Sequence, residues 1–316
     1  MSESQQSLSP NSDDDGLYLR ELLGVIWEGK WLIGGITFVS TAIAVVVALV
    51  LPNIYRADAL LAPNEQDGAA GLSSLAAQYG GLASLAGIDI GSGSNDKTAS
   101  GLEILKSRKF ITEFIERHEI LVPLMAAKGW DSETGELVID SDDYDLVAGK
   151  WIRDVRPPKK TIPSLQEAYE EFMDIFTVSQ DKKTNFVTVS IEHYSPMIAK
   201  EWVDWLVDDL NSTIMLQEIA EAEQAIEYLN EQIDNTSLAQ MQNVFFSLIE
   251  EQTKTVMLAK VSNEYLLKTL DPAMVPEKKA KPNRALIVVI STMMGFFLVA
   301  IGVLFRSPPN RRKQGT

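Results

Sequence analysis

Cysteine is absent from the 316 residues, and histidine occurs only twice, at His118 and His193. Disulfide stapling and thiolate metal sites are therefore excluded, and no pair of histidines has the spacing of a metal site. Each histidine lies inside a regular helix or strand pattern, where a structural role is the ordinary one. Nucleotide-binding signals are missing as well. There is no GxxxxGK[ST] loop, and GSGSND at 91–96 lacks both the third glycine of a dinucleotide turn and the flanking strand and helix. The stretch Asp140, Asp142, Asp143, Asp145 has neither the loop glycine nor the closing glutamate of an EF-hand and reads as a solvated face. No catalytic, cofactor-binding or metal-binding residue is expected. Basic charge is in deficit too, with 28 Lys and Arg against 44 Asp and Glu, a net of -16. Such a chain offers no phosphate-neutralising footprint, which excludes nucleic acid as a partner.

Charge is missing altogether from two blocks, WLIGGITFVSTAIAVVVALVL at 31–51 and ALIVVISTMMGFFLVAIGVLF at 285–305. As a helix each is about 31 Å long, which matches the hydrocarbon core of a bilayer. A signal peptide has an apolar core of about 7–15 residues behind a short basic lead. The first block is longer and follows 30 residues that include the acidic run Asp13, Asp14, Asp15. Two transmembrane helices are predicted, with residues 1–30 and 306–316 on one side and 52–284 on the other. Arg20 and Lys30 precede the first span and only Arg56 closely follows it, which places both termini in the cytoplasm and the middle region in the periplasm. Basic residues balance across the second span, so the first decides. The whole net charge resides in the middle region, because the tails cancel.

Proline and glycine are missing from Met197 to Asp271. Ser195-Pro196 starts a helix there, proline being tolerated in the first turn. Ile198, Trp202, Trp205 and Leu206 line one side, and Ile219, Ala222, Ile226, Leu229 and Ile233 continue at 3-4 spacing. A helix over 197–233 would be about 55 Å long, more than a small domain covers by itself, so it is expected to pack on helices of its own or neighbouring chains. After a break at NTS, 235–237, a second helix over 238–262 repeats the seam with Leu238, Met241, Phe245, Leu248, Gln252, Thr255 and Ala259. EYLLKTL at 264–270 reads as a closing strand.

Elsewhere the signals are mixed. Residues 1–16 read as disordered, and LYLRELLGVIWEGKW as a short helix feeding the membrane through Leu19, Leu22, Leu23 and Ile26, with Trp27 and Trp31 at the interface. IYRADALLA at 54–62 alternates as a strand ended by Pro63. Residues 65–101 read as a loop with short turns, 102–120 as one helix with Leu105, Phe110, Phe114 and Ile115 on its face, and 128–163 mostly as loop. Ser164 and Glu167 form a capping-box pattern, and FTVSQDKKTNFVTVSIEH a hairpin. Within the apolar blocks, Ser40, Ala44 and Ala48, and likewise Ser291 and Gly295, stand four apart, the spacing that lets membrane helices approach closely. In DPAMVPEKKAKPNRALIVVI, Pro272, Pro276 and Pro282 forbid one continuous helix. They predict an extended connection into the second span, with Lys281 and Arg284 at head-group level.

The order of these parts resembles the Wzz-type chain-length determinants, or polysaccharide co-polymerases, of bacterial inner membranes. The resemblance rests on LYLRELLGVIWEGKW, YRADALLAP, LEILKSRKF, SPMIAKEWVDWLVDDLN and, most specifically, DPAMVPEKKAKPNR before the second span. It implies an α+β periplasmic domain with long extended helices, anchored by two transmembrane helices and assembled into ring-like homo-oligomers. It further implies a non-enzymatic role in setting the modal length of O-antigen or a related glycan, made by the Wzy polymerase on an undecaprenyl carrier; the partners would be further copies, that polymerase, the lipid-linked glycan and membrane lipids. Branches serving capsule or exopolysaccharide work with a tyrosine kinase. Tails of about 30 and 11 residues without a nucleotide loop leave room only for a separate one. A two-span sensor would lack an output domain, and a glycan-processing enzyme would need a catalytic cluster.

Overall fold

Alternation along Tyr55–Pro63 sets the frame of the soluble part: Ala57, Ala59 and Leu61 point into a core, while Arg56 and Asp58 face solvent. In the computed structural model, which describes residues 30–64, 93–235 and 239–306, this strand, β1, belongs to a unit formed by Asn53–Lys281. A second unit holds the two apolar helices, α1 at Lys30–Val50 and, closing the described chain, α8 at Arg284–Arg306.

In the soluble unit β1 is followed by helices α2 (Gly93–Lys106), α3 (Arg108–Arg117) and α4 (Leu121–Met125). Next come two small hairpins, β2 (Ala127–Trp130) with β3 (Leu137–Ile139) and β4 (Tyr144–Asp145) with β5 (Lys150–Trp151). Helix α5 (Leu165–Ile175) leads into β6 (Phe176–Gln180) and β7 (Val187–His193). Then follow α6 (Pro196–Asn235), α7 (Ala239–Val261) and β8 (Leu267–Asp271). The sheet is antiparallel throughout, in the order β6-β7-β1-β8. Its inner face meets α6 through Ala199, Trp202, Val203, Leu206 and Leu210, with Phe110, Ile111, Phe114 and Phe172 filling the rest. Trp202, Phe114 and Phe172 are fully buried, and each such side chain contributes on the order of 2–3 kcal/mol. The class is α+β.

Helix α6 has 40 residues, about 60 Å, and only its first half is rooted in this core. One buried polar side chain fastens that root. Asn211 accepts from the backbone N–H of Leu266 and Leu267, at 2.8 and 2.9 Å, and donates to the carbonyl of Leu267 at 3.0 Å. A β-bulge at Leu60/Leu61 of β1 lies where β8 pairs with it, and Asn211 satisfies the groups at the start of β8.

Several expectations are corrected. The segment 93–101 is helical, not loop; residues 65–92 lie outside those described. At the end of that segment the absent side chain of Gly101 makes room for Leu266, whose Cδ2 a Cβ would overlap. The single helix over 102–120 is two, because Ser107 takes an extended conformation and its hydroxyl accepts from Phe110 N at 3.2 Å, capping α3. The loop over 128–163 contains the two hairpins, with strands of two to four residues, too short to show alternation. Its acidic residues build turns: Asp140 accepts from Asp142 N, and Asp145 from Val147 N and Ala148 N. Beyond them Arg153 forks onto Glu167 at 3.0 and 3.1 Å and also holds the carbonyls of Lys160 and Thr161. The Arg153 hydrogen bonds hold the Glu167 carboxyl at a pKa of about 2, while the same side chain completes the capping box with Ser164.

Replacing Asn211 by Ala leaves the two buried N–H groups of Leu266 and Leu267, where β8 begins, without this acceptor. The expected cost is roughly 2–4 kcal/mol, read as a lowered midpoint in thermal unfolding of the full chain in detergent. An unshifted midpoint would show that the latch is not needed.

Candidate functional site

The residues that sequence reasoning singled out fall in three places. The first is the connection after β8. Residues 272–280 have no regular structure, and Ala273 is buried beside Pro272. The connection ends in a bridge: Ile54 N donates to the carbonyl of Lys281 at 2.9 Å, and Ala280 N donates to that of Ile54 at 2.8 Å. Lys281 Nζ pairs with Glu192 at 2.6 Å, and Lys279 Nζ reaches Asn53 at 3.4 Å. Lys281 is thus engaged with β7 of its own unit. Pro276 lies within the irregular stretch, while Pro282 follows the bridge directly. In the other unit, Asn283 Oδ1 accepts from Leu286 N at 3.3 Å, starting α8 at Arg284.

The second place is the contact between α1 and α8. Ser40 Oγ donates to the carbonyl of Ser291 at 3.4 Å, and Ala44 and Ala48 are buried on the same stripe. A Cβ on Gly295 would lie 2.8 Å from Ser40 Oγ and 3.0 Å from its Cβ. One pair escaped sequence reasoning: Thr41 and Thr292 share a hydrogen bond at 2.9 Å between their hydroxyls. Each hydroxyl also lies within reach of the carbonyl one turn back, Thr37 at 2.8 Å and Val288 at 2.7 Å; with one proton apiece, one hydroxyl donates across the contact while the other donates to its own helix and accepts. Their position one residue after Ser40 and Ser291 was the available signal.

The third place is the hairpin of α6 and α7, which pack on each other. On α6 Ala222 is buried and Ile219, Ile226, Leu229 and Ile233 are half-buried. On α7 the expected seam is displaced. Phe245, Gln252, Thr255 and Ala259 face inward, but Met241 is 44% and Leu248 40% exposed, and Leu238 lies outside the described side chains. The packed stripe runs instead through Gln242, Phe245, Ile249, Gln252, Val256 and Ala259. Both stripes share 245, 252 and 259 and both keep 3-4 spacing. Because α7 is apolar on either flank of that shared line, spacing alone does not say which flank the α6 partner covers. The flank left open carries Met241, Val244, Leu248 and Leu258.

Both histidines are structural. His118 stacks on Trp205, ring centroids 4.3 Å apart, with Nε2 3.1 Å from Asp209. His193 is buried; its Nδ1 accepts from Ser195 N and its Nε2 lies 3.1 Å from the carbonyl of Pro123. Burial pushes its pKa down, so the ring is neutral, with Nε2–H as the donor. Burial and the neighbouring Asp204 and Asp209 raise the Asp208 carboxyl. Among the described residues no three His, Asp or Glu side chains are placed to hold a metal.

Two family models match the chain: "chain length determinant protein" over residues 15–118, and "G-rich domain on putative tyrosine kinase" over residues 237–308. Among solved structures, a full-length bacterial polysaccharide co-polymerase is similar at 14% identity, covering 90% of this chain and 96% of that one with a TM-score of 0.35. A fragment of the polysaccharide co-polymerase WzzB from Salmonella Typhimurium is similar at 13% identity, covering 72% of this chain and 100% of that one with a TM-score of 0.30. No curated protein matches.

The apolar contact can be tested directly because the chain has no cysteine. A Thr41→Cys/Thr292→Cys pair is expected to cross-link on mild oxidation in membranes. Adding Gly295→Leu should lower the yield several-fold by forcing the helices apart; undiminished cross-linking would refute the close approach.

Proposed function

The chain belongs to the Wzz-type chain-length determinant, or polysaccharide co-polymerase, family, and on that footing we propose that it regulates the modal chain length of O-antigen or a related surface polysaccharide. It acts as a non-enzymatic oligomeric scaffold, together with a Wzy-type polymerase extending an undecaprenyl-linked glycan. The observation that carries this reading is the chain length determinant match over residues 15–118, which takes in the first apolar helix, β1, α2 and α3. The proposed setting is the bacterial inner membrane. Two described helices are long and apolar enough to cross it, with windows at Trp31–Val50 and Arg284–Val303. Both termini are cytoplasmic and residues 52–284 form the periplasmic domain.

The open flank of α7 supports assembly into ring-like homo-oligomers. Met241, Val244 and Leu248 follow one another at helical spacing along one side, and Leu258 resumes the line after Glu251 and Thr255, as a seam for a second helix does. Carboxylates along α6 and α7, such as Glu227, Glu231 and Glu250, keep the remaining surface soluble. The irregular segment 272–280 then couples the assembled domain to the second span. With Pro276 and Pro282 in place α8 does not grow outward past Arg284.

A second reading is favoured by the match over 237–308. Its model is described on a putative tyrosine kinase, which fits co-polymerases serving capsule or exopolysaccharide with a separate kinase partner. One experiment separates the two. Deleting the gene should abolish the modal band of lipopolysaccharide on a gel, wild type should restore it, and Pro276→Ala/Pro282→Ala should restore a shifted one. Intact lipopolysaccharide with altered capsule or exopolysaccharide selects the second reading. No change in any glycan sinks both.

Assembly is tested separately. Met241→Asp/Leu248→Asp should reduce the particle mass measured by light scattering while leaving circular dichroism unchanged, and modal control should be lost with it. A variant of unaltered mass would refute the α7 interface.

A further inference from the structure

The tip of the β4–β5 hairpin is built against the usual chemistry of turns. Such positions favour Gly, Asn, Asp and Ser, yet Leu146 and Val147 stand there 66% and 99% exposed. They are held out rather than left loose. Asp145 Oδ1 accepts from Val147 N and Ala148 N at 2.9 and 3.0 Å, and Gly149 takes the positive φ that closes the turn. Directly behind the tip, Tyr144 and Trp151 meet edge to face, centroids 5.1 Å apart. An aliphatic tip on an aromatic collar is the arrangement of side chains at a membrane–water boundary, where rings with a polar edge settle.

Contacts join the same module to the strand that follows the first apolar helix. The β4–β5 hairpin follows β3 through a tight turn in which Asp143 N and Tyr144 N both donate to the carbonyl of Asp140, at 3.2 and 2.9 Å, and Asp140 N in turn holds the carbonyl of Ala126 just before β2 at 2.7 Å. The β2 residue Trp130 packs edge to face on Tyr55, centroids 5.6 Å apart. Tyr55 adjoins the Ile54–Lys281 bridge, which lies four residues after α1 and three before α8. By covalent length alone that bridge is within about 14 Å of where the apolar segments begin.

We propose that the β4–β5 hairpin is a membrane-interface anchor, with Leu146 and Val147 seated among lipid acyl chains and Tyr144 and Trp151 at head-group level. This rests on the reading of the two apolar helices as spans. A protein partner is the poorer fit. Two aliphatic side chains expose on the order of 300 Å², well below the roughly 1,000 Å² of a specific protein interface. Residues 140–160 carry five acidic and five basic side chains, so the anchor is apolar rather than electrostatic. It needs no anionic lipid.

The absence of cysteine allows a single probe at each position. The full chain carrying Val147→Cys labelled with the environment-sensitive fluorophore NBD is placed in phosphatidylcholine nanodiscs, with nitroxide-bearing acyl chains as quencher. The expected result is blue-shifted emission, quenched several-fold by the nitroxide lipid and unchanged between about 0.1 and 1 M salt, where the screening length falls from about 10 to 3 Å. The same label on Tyr228→Cys, on α6, is expected to stay unquenched. Emission at Val147 that is unshifted, or shifted without lipid quenching, overturns the proposal, as does quenching lost at high salt. Val46→Cys within α1 separates the failures. Quenching there but not at Val147 rejects the anchor alone, and no quenching at either rejects the spans. Leu146→Asp/Val147→Asp, with native circular dichroism, should abolish lipid quenching of a probe at Ala148→Cys; persistent quenching there also overturns the proposal.

Discussion

Everything in the soluble unit depends on β1 lying between β7 and β8. The first strand of the unit thereby pairs with the last, across a sequence separation of some two hundred residues. The pairing continues as the Ile54–Lys281 bridge, so the two ends of the unit emerge side by side. A chain entering and leaving through neighbouring points can be held by two membrane segments without strain. Backbone hydrogen bonds alone do not maintain this arrangement, because β8 is a short edge strand. Asn211 supplies the missing partners from α6, which couples the closure of the sheet to the root of the longest helix.

From that root the physics changes along α6. Up to Ile214 the helix is a core element, with Trp202, Val203, Leu206 and Leu210 buried against the sheet. Farther on, past the contacts of Glu218 with Lys97 and Tyr265, its cover among the described residues is α7, and a pair of helices buries one stripe of each. Ala222 and Ala259 are buried on the two facing helices. Among the described residues, a second apolar flank of α7, with Met241, Val244 and Leu248, stays exposed. The contact of α1 with α8 is of another kind: it uses hydroxyls and small side chains, the chemistry that serves where apolar surface gains little by being covered, as in lipid.

Much of this was legible without coordinates. Charge-free runs of bilayer length, the capping box at Ser164 and Glu167, the hairpin around DKKTN and the long proline-free helix all follow from local rules, and each appears with boundaries close to those predicted. Where reading failed, two local signals carried opposite meanings. Gly101 marks a tight helix contact with Leu266 rather than a loop. The aspartates from Asp140 to Asp145 shape turns by accepting backbone N–H groups, which composition registers only as polarity. For α7, the heptad spacing was present on two adjacent flanks, and the choice between them belonged to the partner helix.

By itself the sequence determined the segments: which runs are too apolar to stay in water, where helices must stop, and which stretches alternate as strands. These are short-range properties, set by hydropathy, proline and capping chemistry within a few residues. Only the tertiary structure decided which segments meet. Asn211 against β8, Lys281 against Glu192, Thr41 against Thr292, and Trp130 against Tyr55 are contacts between residues far apart in the chain. No local pattern encodes them, because each depends on the packing of the whole core.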